Sequence, residues 1–564
     1  MKRILITCFF AFHGLFLLAQ TVQPHERLYL STDKECYLAG EPVWVSVFCY
    51  DISSGKSSPV SAVAYLEIQN TGGSHVQTKI ALKYGRGSGV IDLPLSLPTG
   101  IYRLTGYTRY MHLESEDNFH ARYITVYNPL SPLRSDNVAT TTAKEEESFP
   151  VYKEPKEETR FGISANKKNY NVKQEVELTL KNLLPENVSA SVSVFRVDGL
   201  NHFQNPSITE VVSKTFQEEK TPFQLGTIDY SGEVIHGYVV DQDNERVNHI
   251  EGFGAYLSIA GSDIQYITGE IQDNGKIRFF TSNLYGDGTL VSYIPSANDK
   301  KHHLILDPIY LFPTVANLPA LVLDKKQEDV LLERSLAVQL YREFRLDTLS
   351  VLKTYGNNLL FESSGISYKL DEYTRFPTMA EVMIEFIQEA RFRTVRGERK
   401  LQVRLKYING VTYEIEDPTP PLVLLDGIPV PDHEKIYNYP PSFVEEIIIY
   451  PHKYAFGPIY YNGIVFFKTY RGDYPELELE ESMRIHDYKG VQHPSSFGIV
   501  PKDSRFPDLR HTLYWNPKVE IKDNESLTLR FQTAETTGTF KVVAEGLSSE
   551  GTPFRTSAEF RVDP

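Results

Sequence analysis

A stretch near the start of the chain recurs 133 residues later, and this repeat restricts the fold more than any other feature. Residues 31–45 read STDKECYLAGEPVWV, and residues 164–178 read SANKKNYNVKQEVEL. The corresponding pairs are Ser31 and Ser164, Asp33 and Asn166, Lys34 and Lys167, Tyr37 and Tyr170, Glu41 and Gln174, and Val43 and Val176. Each copy places a turn before a β-rich run, a pattern typical of antiparallel sandwiches. We therefore predict two domains of one type, the second beginning near residue 159.

The composition agrees with a β-rich chain and excludes some classes of partner. There are 35 Tyr and 31 Phe against 2 Trp, and Tyr and Phe favour pleated, half-buried surfaces. The 564 residues are enough for several domains. Because the net charge is −15, we predict no nucleic-acid binding and expect no polybasic patch for an anionic membrane. The predicted fold class is mainly β, with immunoglobulin-like sandwiches in series.

The first predicted sandwich, residues 21–130, resembles a known domain type. It is similar to the MG2 macroglobulin domain of the alpha-2-macroglobulin superfamily. The matching residues are Ser31, Thr32, Asp33, Lys34, Tyr37, Gly40, Glu41, Val43, Trp44, Leu97, Pro98, Thr99, Gly100, Ile101, Tyr102, Tyr107 and Thr108. The resemblance implies that both sandwiches are macroglobulin-like.

The first twenty residues, MKRILITCFFAFHGLFLLAQ, have two basic residues, an apolar run and a small residue at Ala19. This is the pattern of a secretory signal peptide, so we predict that residues 1–20 are removed and that the chain is exported. No later apolar run is long enough for a membrane-spanning helix. Cys36 and Cys49 would then reach an oxidising compartment, where they could form a disulfide. Two buried free thiols are the alternative.

The middle of the chain divides by composition. Residues 131–158 are rich in Thr, Glu and Pro and are predicted to be a linker. The second sandwich is predicted over residues 159–318. Within it, residues 231–300 resemble the carboxypeptidase-regulatory β module, with matches at Gly237, Val239, Asp241, Asp273, Gly275 and Phe279. A helical connector with Asp324 as its N-cap is predicted over residues 319–370.

Residues 371–472 contain a helix start at Thr378, an Asp426-Gly427 turn and several apolar strands. They resemble the plug domain of TonB-dependent outer-membrane receptors. The matching residues are Leu424, Leu425, Asp426, Gly427, Pro429, Pro440 or Pro441, Val444, Glu445, Ile447, Ala455, Phe456, Gly457, Gly463, Ile464, Val465, Phe467 and Thr469. The resemblance implies a small α+β plug-like domain. Residues 473–564 are predicted to be a C-terminal β-sandwich, too short for a receptor barrel, so we expect the chain not to be a transporter itself.

The sequence contains few motifs that indicate catalysis or ligand binding. No nucleophile, P-loop, HExxH or dinucleotide motif occurs, so we predict no enzyme, no catalytic residue, no cofactor and no metal site. The macroglobulin thioester needs Glu-Gln shortly after a Cys, and neither remaining Cys has it. Because Tyr anchors many interfaces, we predict partner-binding residues at Tyr454, Phe456, Tyr460 and Tyr461. The alternative is that alternate members of this group fill the core of the domain.

These features favour a non-enzymatic exported protein of the periplasm or the outer membrane. We interpret it as a scaffold or protein-binding component whose partner is another envelope protein. The plug resemblance implies that this partner is a TonB-dependent transporter within an uptake complex. The alternative function is a carbohydrate- or ligand-binding module of the cell envelope, for which the Tyr-rich loops are the motivation.

Overall fold

The computed structural model describes residues 25–140, 160–200, 202–217, 222, 226–247, 254–260, 265–272, 274–282, 284–295, 302–313, 315, 317–343, 349–351, 365–406, 412–413, 419–457, 459–498 and 507–564. The predicted signal peptide and residues 141–158 of the predicted linker lie outside this set. Strands dominate the described chain and helices are few and short, which confirms the mainly β prediction.

The first domain is a two-layer sandwich of eight strands. They are β1 (Glu26–Thr32), β2 (Cys36–Leu38), β3 (Pro42–Asp51), β4 (Val63–Asn70), β5 (Gly73–Ala81), β6 (Arg86–Asp92), β7 (Gly100–Tyr107) and β8 (His120–Tyr127). One sheet has the order β1-β3-β6 and the other the order β2-β8-β7-β4-β5. Only the pairing of β2 with β8 is parallel among these strands. Helix α1 (Arg109–His112) follows β7.

The second domain has the same two sheets, built from two distant parts of the chain. Labels follow chain order; its strands are β10 (Phe161–Ala165), β11 (Asn169–Asn171), β12 (Glu175–Asn182), β13 (Val188–Arg196), β33 (Thr512–Ile521), β34 (Ser526–Gln532), β35 (Gly538–Ser548) and β36 (Pro553–Asp563). The sheet orders are β10-β12-β34 and β11-β36-β35-β13-β33. Strand for strand, this is the topology of the first domain, including the parallel pairing of β11 with β36.

The repeated residues make the same contacts in both domains. The Tyr37 hydroxyl donates to Asp33 Oδ1 at 2.7 Å, and the Tyr170 hydroxyl donates to Asn166 Oδ1 at 2.5 Å. At the turn that follows, Gly40 has a φ of 92° and its counterpart Lys173 a φ of 57°. The predicted repeat of one domain type is therefore confirmed.

The prediction of a separate sandwich over residues 473–564 is wrong. Strands β33 to β36 pair with β11, β12 and β13, so they complete the second domain rather than form their own. In the first domain a tight turn joins β4 to β5, where Asn70 pairs with Gly73. In the second domain residues 197–511 occupy the corresponding place between β13 and β33. Everything between these strands is thus an insertion into one turn of the second sandwich.

The insertion holds a seven-stranded sheet of order β19-β14-β17-β16-β15-β18-β31. Its strands are β14 (Val234–Val240), β15 (Ala255–Ala260), β16 (Tyr266–Ile271), β17 (Lys276–Phe280), β18 (Asp287–Tyr293), β19 (His303–Leu306) and β31 (Arg484–Lys489). Six of them fall near the predicted module of residues 231–300, but the edge strand β31 comes from far downstream. A second insertion therefore lies between β19 and β31.

This second insertion contains a smaller α+β unit, here called the inserted unit (the described residues of 365–480). A five-stranded sheet of order β22-β29-β30-β27-β28 forms its centre. The inserted unit also contains two strand pairs, β23 with β24 and β25 with β26. The strands of the unit are β22 (Ile366–Lys369), β23 (Ala390–Val395), β24 (Glu398–Val403), β25 (Leu405–Lys406), β26 (Thr412–Tyr413), β27 (Leu422–Leu425), β28 (Ile428–Pro429), β29 (Val444–Phe456) and β30 (Ile459–Thr469). Helices α4 (Met379–Glu385) and α5 (His433–Tyr437) belong to it as well. As predicted, Thr378 caps α4 by accepting from the Glu381 N–H at 3.3 Å.

The remaining elements tie the units together. They are β9 (Val138–Thr140), α2 (Ile208–Thr215), β20 (Leu321–Leu323), α3 (Glu328–Glu343), β21 (Leu349–Val351) and β32 (Ser495–Phe497). Strand β20 pairs with β9, and β21 pairs with β32. Asp324 caps the short 3-10 turn that leads into α3, accepting from the Lys326 N–H at 2.9 Å. In the described part of the chain, no helix combines the length and apolar character needed to cross a membrane.

Candidate partner-binding face of the inserted unit

The two cysteines do not form the disulfide that the sequence allowed, and they correspond to the alternative of two buried free thiols. Cys36 and Cys49 are both free and buried. They lie on strands of different sheets, where Cys36 packs beside Tyr127 and Leu321 while Cys49 packs in the main core of the first sandwich. Burial raises the pKa of Cys36 to about 12 and also raises that of Cys49, so both remain protonated and unreactive.

Three of the four predicted partner-binding residues instead pack between the inserted unit and the seven-stranded sheet. Phe456 is buried, and Tyr454 and Tyr461 are partly buried in the same apolar cluster. The Tyr256 hydroxyl donates to the Phe456 carbonyl at 3.1 Å. Of the four, Tyr460 is the exposed one, with 67% of its surface accessible. The end of the β29–β30 hairpin thus forms an internal joint between the inserted unit and the seven-stranded sheet.

The Asp426-Gly427 turn lies at the same contact between the inserted unit and the seven-stranded sheet. Asp426 and Gly427 have φ values of 47° and 86°, as a tight turn between β27 and β28 requires. The buried Asp426 carboxylate accepts from the Thr469 N–H at 2.7 Å and from the Tyr474 N–H at 2.8 Å. A Cβ atom at position 427 would lie 2.2 Å from the Ile259 carbonyl oxygen of β15. Only glycine lets the turn approach the seven-stranded sheet so closely.

The opposite end of the inserted unit carries a partly exposed aromatic surface, in which Tyr373 and Ile384 are exposed and the other rings are half-buried against the core. We call Tyr368, Tyr373, Phe376, Ile384 and Phe386 the aromatic patch. The rings of Tyr373 and Phe386 are stacked at 4.1 Å, and Ile384 is 75% exposed. Tyr368 of the patch pairs with Ile447 of β29, roughly 30 Å along that strand from Phe456. Sequence reasoning missed the patch, although an apolar Ile384 on the polar face of a helix was a usable signal.

An arginine holds this end of the unit in place. Arg375 donates to the carbonyl oxygens of Pro441 at 2.9 Å and Val444 at 3.0 Å. It also forms an ion pair with Asp371 and a hydrogen bond to the Tyr470 hydroxyl. The segment that carries the patch is therefore fastened to the start of β29 by several directed contacts, which preorganises the surface.

A hairpin rich in positive charge adjoins the aromatic patch. We call residues 390–406, which contain β23 and β24, the basic hairpin. Glu389 joins the two surfaces, because it accepts from the Tyr368 hydroxyl of the patch and lies 3.7 Å from Lys406 of the hairpin. Helix α5 supports the hairpin: the Leu401 N–H donates to His433 Nδ1 at 2.9 Å.

This His433 contact makes the hairpin sensitive to acid. Burial, with a contribution from Lys400, lowers the pKa of His433 to about 4. Folding lowers the pKa of His433 below its value of about 6.5 in the unfolded chain. The neutral imidazole therefore stabilises the fold fully above about pH 6.5, and this contribution is lost as the pH falls toward 4. We expect the protection of the Leu401 amide against hydrogen exchange, corrected for intrinsic rates, to fall across that window. In His433→Gln, whose side chain accepts without titrating, the pH dependence should vanish; an unchanged dependence would contradict this account.

Elsewhere, a buried ion cluster joins the first sandwich and the start of the insertion to α3. Arg334 donates to Glu41 Oε2 at 2.8 Å and to Asp198 Oδ2 at 2.9 Å. Burial alone would raise the pKa of Glu41, but Arg334 and Lys34 override it and lower that pKa to about 2. A cavity of about 260 Å³ adjoins the cluster. Within the described ranges, no group of three or more His, Cys, Asp or Glu side chains is placed to hold a metal ion.

No protein-family model and no curated protein matches the chain. Among solved structures, it is similar to a Salmonella alpha-2-macroglobulin mutant at 10% identity, over 96% of this chain and 39% of that one, with a TM-score of 0.24. It is similar to trypsin-activated alpha-2-macroglobulin from Escherichia coli at 10% identity, over 95% and 41%, with a TM-score of 0.23. The Yersinia pseudotuberculosis adhesin InvE matches at 13% identity, over 50% and 57%, with a TM-score of 0.13. The chain thus spans about two fifths of the length of these macroglobulins.

Proposed function

We propose that this protein is a non-catalytic, exported scaffold of the cell envelope that presents the inserted unit to a partner protein. The observation that carries the proposal is the aromatic patch, which lies at the outer end of a unit whose other end is anchored. Tyr373 and Ile384 are exposed, and the Tyr368, Phe376 and Phe386 rings beside Tyr373 are only partly covered, which is unusual on a surface without a partner. Tyr in particular supplies much of the binding energy at protein interfaces.

The anchoring of the inserted unit supports this role. Its inner end packs on the seven-stranded sheet through Tyr256, Tyr266 and Phe456. The seven-stranded sheet in turn is fastened to the first sandwich by Lys79, whose Nζ lies 2.5 Å from Glu233 Oε2, with both side chains fully buried. A partner that binds the patch therefore meets a surface with little freedom left to lose, which favours affinity.

We infer the class of the partner from sequence resemblance. The pattern from Leu424 to Thr469 resembles the plug domain of TonB-dependent receptors, and the first twenty residues resemble a signal peptide. On that basis we place the scaffold at the outer membrane, beside a transporter of this class. The aromatic patch is the surface through which it would meet that complex.

The test is chemical cross-linking in envelope preparations, followed by mass spectrometry. Ile384→Arg should abolish the cross-links between the inserted unit and its envelope partner, because a charge cannot be buried in an apolar contact without a large penalty. Leu332→Arg is the matched control, since Leu332 is also an aliphatic residue on a helix and is 60% exposed. Cross-links that persist in Ile384→Arg, or that vanish equally in Leu332→Arg, would refute the proposal.

A further inference from the structure

A lysine and a glutamate from two different units meet in the interior of the protein. Lys79 lies on β5 of the first sandwich, and Glu233 lies immediately before β14 of the seven-stranded sheet. Lys79 Nζ is 2.5 Å from Glu233 Oε2, and both side chains are 0% exposed. Lys and Glu are almost never buried so completely, and removing both charges from water can cost more than their attraction returns. An amide between the same two groups would leave no charge in the interior.

The surroundings of Lys79 Nζ favour its reactive, neutral form. Nζ lies 4.3 Å from the centre of the Tyr488 ring and 5.8 Å from the centre of the Tyr310 ring. Burial lowers the pKa of Lys79, and this effect outweighs that of Glu233, which raises it. A lysine amine becomes a nucleophile once it has lost its proton, and desolvation favours that loss. The carboxyl carbon beside Nζ is the electrophile within reach.

The two carboxylate oxygens of Glu233 have different surroundings. Oε2 accepts a hydrogen bond from the Tyr488 hydroxyl at 2.5 Å, and burial raises the pKa of Tyr488, so this hydroxyl keeps its proton. Among the described residues none donates a hydrogen bond to Oε1, and Arg109 Nη2 lies 4.0 Å from it. A cation in that place stabilises the negative charge that develops on Oε1 when the carboxyl carbon is attacked. Oε2 is therefore placed to leave, and Oε1 to become the oxygen of an amide.

A buried network holds Arg109 beside Glu233. Arg109 Nε donates to the Tyr65 hydroxyl at 3.0 Å, and that hydroxyl donates to Asp229 Oδ2 at 2.9 Å. Asp229 also accepts from the N–H of Val234, the residue after Glu233, at 2.8 Å. The same carboxylate thus orients the guanidinium and the main chain that carries Glu233.

The main chains on both sides of the pair are fixed as well. The Lys79 carbonyl accepts from the Gln492 N–H at 2.9 Å, and the Glu233 carbonyl accepts from the Thr281 N–H at 3.1 Å. Two groups held together in this way react as if each were present at a very high concentration. Since both side chains are fully buried, water that could reverse an amide is also kept away.

We propose that Lys79 and Glu233 form an isopeptide bond, which links the first sandwich covalently to the seven-stranded sheet. Nζ attacks Cδ of Glu233, the new C–N bond forms and the Cδ–Oε2 bond breaks. Two of the three protons of the Lys79 ammonium leave with Oε2 as one molecule of water, so the reaction needs no oxidant, reductant or co-reactant. The Tyr488 hydroxyl, which already donates to Oε2, assists its departure. The bond forms within one folded chain and goes beyond the proposed function, since it requires no partner.

Mass spectrometry of the denatured full chain tests the bond with two variants of identical composition. Lys79→Arg removes the nucleophile but keeps the positive charge, because a guanidinium is not deprotonated in proteins. Lys83→Arg changes an exposed lysine four residues further on and leaves the site intact. We expect Lys83→Arg to be lighter than Lys79→Arg by the mass of one water, since only the former can form the bond. The comparison is independent of how the N-terminus is processed.

Tryptic digestion locates the bond. Trypsin does not cleave after an acylated lysine, so residues 57–83 should remain one peptide, joined to residues 221–246, which contain Glu233. This branched peptide should be present in the parent and in Lys83→Arg and absent from Lys79→Arg. Its detection in the parent does not require that Lys79→Arg folds.

Other results would overturn the isopeptide bond. Equal masses for the two variants, or a parent digest that yields residues 57–79 and 221–246 only as separate peptides, would show that the pair remains ionic. A loss of water that maps to the Asp287-Gly288 or Asp426-Gly427 sequence and persists in Lys79→Arg would assign the mass change to cyclisation at aspartate instead.

Discussion

Removing residues 507–564 is expected to unfold the second sandwich entirely, although residues 160–196 remain in the chain. The deletion takes away β33, β35 and β36 from one sheet and β34 from the other. Val176, Leu178 and Val192 would then lose the apolar side chains that cover them, among which are Phe540, Phe554 and Phe560. Burial of such side chains is worth about 1.5–3 kcal/mol each, so the loss exceeds the stability of an ordinary domain. Limited proteolysis should cut freely within residues 160–196.

A shortened chain that lacks the insertion tests whether the two separated parts of the second sandwich fold together without it. Residues 160–196 joined to residues 512–564 through Asn-Thr-Gly-Gly, the turn between β4 and β5 of the first sandwich, should fold as one cooperative unit. Circular dichroism during urea unfolding would show a single transition. Native-like resistance to protease after removal of residues 507–564, or failure of the joined chain to fold, would contradict the shared topology of the two domains.

Replacing Arg334 by Met should cost about 3–5 kcal/mol of unfolding free energy, the second large effect that we expect. Arg334 is 1% exposed and lies between Glu41 of the first sandwich and Asp198 at the start of the insertion. Met fills most of the space but leaves the buried Asp198 without Arg334 and leaves Glu41 with only Lys34, at 3.4 Å. The measurement is the shift in the urea unfolding midpoint at pH 7.

The assignment of this cost to unpaired charge has its own controls. Adding Glu41→Gln to the Arg334→Met variant should restore part of the loss, because one of the stranded carboxylates is then neutral. Glu333→Gln removes the neighbouring, more exposed pair with Arg196 and should change stability by less than about 1 kcal/mol. If Glu333→Gln is as damaging as Arg334→Met, the buried cluster is not the joint described above.

The sequence allowed the domain type and several local features to be predicted. The repeat of Asp33 and Tyr37 in Asn166 and Tyr170 predicted two like sandwiches, since a turn and its hydrogen bonds are set within about ten neighbouring residues. The caps at Thr378 and Asp324 were predictable for the same reason. The aromatic richness of the Tyr454–Tyr461 segment was also recognised, but its role was not, because alternation along a strand does not tell a joint from a free surface.

Local pattern determined that this chain is mainly β, that its first and second domains are of one type, and where their early strands lie. Tertiary structure alone decided that β33 closes against β13 and β31 against β18, because strand partners are chosen by the burial of whole sheets. The entropy of closing a loop grows only slowly with its length, so hundreds of inserted residues scarcely disfavour such a pairing. Packing against the seven-stranded sheet buries the inner end of the inserted unit, while Tyr373 and Ile384 of its aromatic patch and the tip of its basic hairpin are exposed.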